Sequence, residues 1–283
     1  MFMLLPLMAS FFANCEFADA RVVVVGIPLD RTSSFIPGTR FGPAVGRLGT
    51  ANIESFSPYL NRDISEVRVY DAGDLEFTFE TPAAPGRLIT AHTGKVYQQG
   101  KRQLAVGGEH SITPFIISEL TRVYPGLCVI QFDAHSDLRD QFLGEPECHA
   151  TAMRRVLDYI PRENLFQLGI RSFSSPEELN SQNLFPFAVQ APIERVRKSI
   201  GSRPVYITLD IDVLDPGVMP EVQTPQPGGC SYYELVHALA GLKGINCIGA
   251  DLVEFCPRTF AASAGAATVA ELVRELTLLL KTE

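Results

Sequence analysis

Asp133, His135 and Asp137 fall at every second position of the string Asp-Ala-His-Ser-Asp, residues 133–137. In extended backbone, alternate side chains share a face, so these three project together. Just before them, Leu127-Cys128-Val129-Ile130 is an unbroken apolar run, the pattern of a strand buried on both faces of a parallel sheet. Carboxylates delivered by such a strand leave water at a heavy cost unless a cation or a hydrogen-bond network holds them. A metal ion answers that need, and the pair Asp210 and Asp212 downstream calls for a second ion. A surface loop with scattered polar residues is the bland alternative, but it would not need an apolar strand to carry it.

His110 and Glu254 follow further apolar runs, which brings the set to two imidazoles and a group of carboxylates. A mixed oxygen and nitrogen set suits Mn²⁺ better than a thiolate-seeking metal, although Zn²⁺ also accepts His and Asp. These ligands are too many for one catalytic ion with an open position and about right for two ions sharing bridging carboxylates. Two such ions activate a shared water near neutral pH, so the residues point to metal-assisted hydrolysis of a planar electrophilic carbon.

The elements that must position these residues alternate in type along the chain. Strands are expected near 21–26, 67–71, 103–106, 127–130, 165–169, 204–209 and 245–250. Helices are expected from Pro43 to about Asn52, over 86–99, after Ser111, and over 148–159, 231–242 and 266–280. Between Ser172 and Gln190 only a short helix and a strand are expected. The turn-rich loop 33–43 and the Pro- and Gly-rich stretch 218–229 are too long for simple connectors and read as ordered site loops. The alternation predicts a three-layer, doubly wound α/β fold with a mostly parallel sheet. No linker or repeat divides it, so 1–283 is expected to be a single catalytic domain. Residues 1–20 are expected to pack on that domain or on a neighbouring subunit; their apolar stretch, Met1 to Phe12, is broken by Pro6 and, at about a dozen residues, is too short to cross a bilayer.

Charged residues make up 20% and hydrophobic residues 46%, a globular balance. A formal net charge of −8 argues against nucleic acid or an anionic membrane as partner and suits a cationic small molecule. The six cysteines show no Cys-x-x-Cys spacing and are expected to be reduced thiols in a cytoplasmic protein.

The strings Gly-Gly-Glu-His-Ser (107–111), Asp-Ala-His-Ser-Asp (133–137), Asp-Ile-Asp-Val-Leu-Asp-Pro (210–216) and Asp-Leu-Val-Glu (251–254) resemble the four signatures of the ureohydrolases. That family includes arginase, agmatinase and formimidoylglutamase, and Pro37-Gly38-Thr39-Arg40-Phe41-Gly42-Pro43 is especially similar to agmatinases. The resemblance runs from about Val22 to Leu276. It implies an arginase-like fold and two Mn²⁺ per subunit. His110, Asp133, Asp137 and Asp210 would hold one ion, and Asp133, His135, Asp210 and Asp212 the other. It further implies that Glu254 pairs with a substrate guanidinium, that His149 shuttles protons with Asp137 near the leaving amine, and that the chain forms a trimer or hexamer. The implied reaction is release of urea from a guanidine, most closely agmatine to putrescine. Aminopropylagmatine, guanidinobutyrate and arginine stand as alternative substrates, and a catalytically silent binding protein as an alternative role. Two departures touch the substrate tail: His149 is followed by Ala150 and Thr151, and Glu254 is followed shortly by Pro257-Arg258-Thr259-Phe260. Three acids in the segment 138–147 are expected to line the cavity rim and attract an amine.

Overall fold

Runs of β-branched and aliphatic residues set the centre of the fold, because such side chains pack well on a pleated surface. The computed structural model describes residues 9–78 and 80–281. β1 is Val22–Ile27, buried at every position. It is followed by α1 (Gly42–Gly49) and by the antiparallel hairpin of β2 (Phe56–Ser57) and β3 (Arg62–Asp63). Next come β4 (Val69–Asp74), α2 (Ala84–Gln98), β5 (Arg102–Gly107), α3 (Thr113–Val123) and β6 (Cys128–Phe132). The chain continues through α4 (Ala152–Val156), β7 (Leu165–Leu168), β8 (Leu184–Phe185) and α5 (Ile193–Ile200). It closes with β9 (Val205–Asp210), α6 (Tyr232–Gly241), β10 (Cys247–Val253) and α7 (Ala264–Leu279).

Eight of these strands form one sheet in the order β4-β1-β5-β10-β9-β6-β7-β8. Every pairing described within it is parallel. Alternate residues of each strand feed two separate cores. Val22 and Val24 pack with Val45, Val196, Leu235 and Leu272, so α1, α5, α6 and α7 cover one face. Val23 and Val25 pack with Ile89, Ile116 and Met153, so α2, α3 and α4 cover the other. This is the three-layer, mostly parallel α/β arrangement expected from the alternation of elements.

The helix expected over 148–159 is shorter than its apolar spacing suggests. A 3₁₀ turn at His149–Thr151 precedes α4, and the chain leaves the helix after Val156. Cys148 starts that turn, with its backbone N–H donating to Thr151 Oγ1 at 3.1 Å. α5 lies outside the expected helices, although Ile193, Val196 and Ile200 already had helical spacing and form its buried face.

Residues 1–8 of the apolar N-terminal segment lie outside the described residues. Within its remainder, Phe11 is fully buried in the core beside Val45 and Val269, and its backbone N–H donates to Asp71 Oδ2 at 2.8 Å. All six cysteines are unpaired. Among the described residues, no helix is long and apolar enough to cross a membrane.

Candidate metal centre and active site

The sheet order explains why motifs far apart in sequence meet. β5, β10, β9 and β6 are consecutive neighbours, and each delivers one signature at its carboxyl end. His110 follows β5, Glu254 follows β10, Asp210 ends β9 with Asp212 in the 3₁₀ turn just beyond it, and Asp133, His135 and Asp137 follow β6. Carboxyl ends of parallel strands are where open α/β sheets bind ligands. Gly108 makes this closeness possible: a Cβ there would sit 1.9 Å from the Leu29 carbonyl oxygen.

All six residues expected as ligands converge. His110 Nδ1 lies 3.1 Å from Asp133 Oδ2, 3.0 Å from Asp137 Oδ2 and 3.5 Å from Asp210 Oδ2. His135 Nδ1 lies 2.9 Å from Asp212 Oδ2 and 3.6 Å from Asp133 Oδ1. His110, Asp133 and Asp210 form one group able to hold a cation, and Asp133, His135 and Asp212 a second, with Asp133 common to both.

The donor chemistry fits a metal. His110 Nδ1 is close to three carboxylate oxygens yet makes no hydrogen bond, because none lies where a ring N–H would point. Its other nitrogen, Nε2, is 2.9 Å from Thr208 Oγ1. The Thr208 hydroxyl donates its own proton to Asp251 Oδ1 at 2.6 Å, so it must accept from Nε2–H. Nε2 thus carries a proton, and Nδ1 faces three carboxylate oxygens that need a cation between them and it, a metal ion on a neutral ring or, in the metal-free cluster, a proton. Asp251 is itself held by Thr113 and Tyr206 at 2.8 and 2.9 Å.

The electrostatics of the bare cluster point the same way. Burial and the neighbouring Asp133 charge push the Asp137 carboxyl up to about 7. Burial, followed by the charges of Asp212 and Asp133, raises Asp210 well above the carboxylate range. Burial also disfavours a charged Asp133, but the adjacent His110 and His135 imidazoles hold it below that range. Both imidazoles are raised well above their ordinary value against the penalty of burial, His110 by Asp133, Asp137 and Asp210, and His135 by Asp212 and Asp133. The cluster is thus an excess of buried anions pulling on every available proton.

Glu254 is 2% exposed. Its Oε1 accepts from the backbone N–H of His110 at 2.7 Å, while Oε2 is buried without a partner among the described residues. Burial raises its pKa well above the usual value. Its φ of 68° and the φ of 54° at Asp137 are left-handed. Such backbone costs a non-glycine residue about 1–3 kcal/mol where the surroundings impose it, and it clusters at functional sites.

His149 lines the same cavity, of about 190 Å³, together with Asp137 and Glu254. Its ring sits between Thr32 Oγ1 at 3.2 Å from Nδ1 and Ser34 Oγ at 3.1 Å from Nε2. Burial lowers its pKa.

Two supporting residues carried no sequence signal of their own. Glu109 accepts from the backbone N–H groups of Arg31 and Thr32 at 2.9 and 2.6 Å, which pins the loop presenting Thr32 and Ser34 to His149. Arg171, nearly buried, donates to the carbonyls of Asp212, Val213 and Gln226 at 2.7, 3.1 and 2.7 Å. It ties the second Asp pair to the Pro- and Gly-rich loop.

The rim differs from expectation. None of the three acids of segment 138–147 lines the cavity; Arg139 and Phe142 do. Asp140 is drawn away by Arg154 of α4 at 2.8 Å, Glu145 is exposed, and Glu147 lines a separate groove with Phe115 and Tyr159.

The sequence profile of the arginase family matches residues 20–279, and the chain belongs to that family. It is 38% identical over 270 residues to an agmatinase of Bacillus anthracis and 36% identical over 270 residues to an agmatinase of Bacillus subtilis, in each case across 93% of both chains. Among solved structures, the proclavaminate amidino hydrolase of Streptomyces clavuligerus superposes with a TM-score of 0.83 at 28% identity, covering 92% of this chain and 91% of that one.

Proposed function

We propose that the protein hydrolyses agmatine to urea and putrescine, using two Mn²⁺ per subunit. His110, Asp133, Asp137 and Asp210 would hold one ion, and Asp133, His135, Asp210 and Asp212 the other. When bound, the pair supplies a water acidic enough to attack at neutral pH. The observation that carries the reading is the unbonded His110 Nδ1 facing three carboxylates beside the unpartnered Glu254 Oε2. Both are buried, one short of a cation and the other of a hydrogen-bond donor. The agmatinase relatives named above support the choice of substrate.

The residues divide the work. Glu254 grips the planar guanidinium, with its backbone contact to His110 leaving Oε2 free for a substrate N–H. The burial of Glu254 keeps bulk water from its carboxylate and strengthens that pairing. The departing amine needs a proton, which Asp137 beside the attacking water or His149 at the mouth supplies. His149 is kept neutral by burial and oriented by Thr32 and Ser34, so it can accept a proton from one side and pass it to the other.

One observation favours a second reading. Arg139 lines the cavity with its guanidinium 5.4 Å above the Phe142 ring, and no carboxylate pairs with it among the described residues. A guanidino acid would bring one. The two readings separate in one experiment. Urea release is measured from agmatine, aminopropylagmatine, 4-guanidinobutyrate and arginine, with metal content determined on the same sample. Agmatine is expected to lead arginine by at least about tenfold in kcat/KM, since one misplaced charge readily costs about 1.4 kcal/mol. Preference for the guanidino acids would overturn agmatine in favour of the second reading, and no urea from any of them would remove both.

A further inference from the structure

Gln131 and Gln167 are fully buried and lie side by side as register partners on β6 and β7, where apolar side chains are the rule. Their bonding runs in one direction. Arg162 Nη2 donates to Gln167 Oε1 at 2.9 Å. Gln167 Nε2 donates to Gln131 Oε1 at 2.7 Å. Gln131 Nε2 donates to Asp133 Oδ2 at 2.7 Å. The remaining N–H groups of the two amides reach the carbonyls of His135 and Ser136 at 3.1 and 2.8 Å.

The direction follows from chemistry at the far end. A guanidinium has no acceptor, so Gln167 must present its oxygen to Arg162 and its nitrogen to Gln131. Gln131 must then present oxygen to Gln167 and nitrogen to Asp133. Turning either amide over would set oxygen against oxygen at two places and leave buried donors unpaired, at about 1–3 kcal/mol for each group. A permanent positive charge thus begins a chain of aligned donors that ends on the carboxylate common to both ligand groups. Successive bonds in such a chain polarise one another in a low-dielectric interior.

We propose that Arg162, Gln167 and Gln131 form a one-way relay that fixes the rotamer of Asp133, so that the metal affinity of the site is set by a residue outside it. Gln131 and Gln167 are positioning residues. The proposal rests on Asp133 being a shared metal ligand. With one lone pair of Oδ2 occupied by Gln131, and Oδ1 accepting from the His135 N–H at 2.6 Å, the remaining lone pairs are confined to the directions of His110 and His135. The other role open to the two glutamines is structural only, holding the carbonyls of residues 135 and 136.

The decisive variant is Arg162→Met, which touches no atom of the 133–137 turn. Mn²⁺ affinity is measured by titration calorimetry and Mn²⁺ paramagnetic resonance, together with the melting temperature of the metal-free protein. Partners of metal ligands typically change affinity by about 10- to 100-fold when removed. Gln131→Leu is therefore expected to weaken Mn²⁺ binding at least about tenfold. Gln167→Glu, which still accepts from Arg162 but cannot donate onward, is expected to do the same. Arg162→Met, two bonds further away, is expected to weaken it by about two- to fivefold and Arg162→Lys by less, with the metal-free melting temperature of Arg162→Met lowered by only a few degrees, the cost of the acceptor left on Gln167 Oε1. Unchanged affinity in Arg162→Met alongside loss in Gln131→Leu would leave only the structural role and overturn the relay. Unchanged affinity in all four variants would also overturn it. Failure of the wild type to bind Mn²⁺ would instead overturn the reading of the site itself.

Discussion

Replacing Glu254 by Gln separates binding chemistry from architecture, because the two respond in opposite directions. The amide keeps the length of the side chain, and its oxygen can still accept from the His110 N–H, now 2.7 Å from Oε1. It loses the charge. A desolvated, hydrogen-bonded ion pair loses about 2–5 kcal/mol when one partner is removed, so kcat/KM for the guanidine substrate is expected to fall by about 10²–10⁴. Stability should move the other way in the metal-free protein. The pKa of Glu254 is raised by burial above its unfolded value, so the unfolded chain gives up this proton first as pH rises. The native state therefore loses stability between the unfolded pKa and the higher folded one, by about 1.4 kcal/mol for each unit of separation. Glutamine does not titrate. Metal-free Glu254→Gln should match wild type near pH 4 and be the more stable of the two at pH 8, as read by thermal unfolding at both values. Metal content after reconstitution should stay at the wild-type level. Wild-type kcat/KM in a folded, metal-loaded variant would falsify the clamp. A variant less stable than wild type at pH 8 would mean that the buried charge is already compensated by a partner.

Three further outcomes test other parts of the structure. Asp210→Ala should abolish urea release and lower bound metal, since this carboxylate faces His110 and the Asp133–Asp212 pair, and full metal content with normal turnover would exclude it as a ligand. Stripping the metal by chelation should lower the melting temperature by about 5–10 °C relative to protein held at a metal concentration of about 100 Kd, a linkage of about 2.7 kcal/mol per site in a chain of this size. Asp71→Asn should destabilise the fold by about 3–5 kcal/mol, because Arg47, 9% exposed, holds Asp71 through two bonds of 2.8 Å. Burial opposes ionisation of Asp71, but Arg47 keeps its pKa below the carboxylate range. Its contribution is therefore complete above about pH 4 and is lost as pH falls further. The gap between wild type and variant in denaturant melts should narrow as pH falls below about 4, and a gap unchanged between pH 7 and pH 2 would refute the pair as its source.

The residues proposed as ligands were legible because each stands where an apolar strand ends, and a charged group in that place has few explanations. Their neighbours were not. Glu109 lies inside one of the recognised strings, but its partners Arg31 and Thr32 are 78 and 77 positions away, and no local pattern marks such a pairing. Arg171 was silent for the same reason, since it binds loop carbonyls, and carbonyls leave no trace in the residue types. The rim went astray because charge was counted along the chain. Asp140 has a competing partner in Arg154, which belongs to the following helix, so the segment that looked acidic turns a base toward the cavity. α5 could have been found, since Ile193, Val196 and Ile200 carry the period of a one-sided helix.

The sheet order is what local patterns could not supply, and it decides the site. β10 is the last strand in sequence but pairs between β5 and β9, and this brings Glu254 into the middle of a cluster whose other members come from earlier in the chain. The arrangement runs against stability on several counts. Buried carboxylates face one another, two of the residues assigned to the chemistry hold left-handed backbone, and Glu254 leaves an oxygen without a partner. An apolar residue would relieve the first and the last of these, and glycine the second. The surrounding structure instead reinforces them, with Asp251, Thr208, Gln131 and Glu109 all spending their hydrogen bonds on keeping ligands and loops in place. On the proposed function, this maintained strain has a single purpose: cations would reconcile the carboxylates, and a guanidinium would complete Glu254.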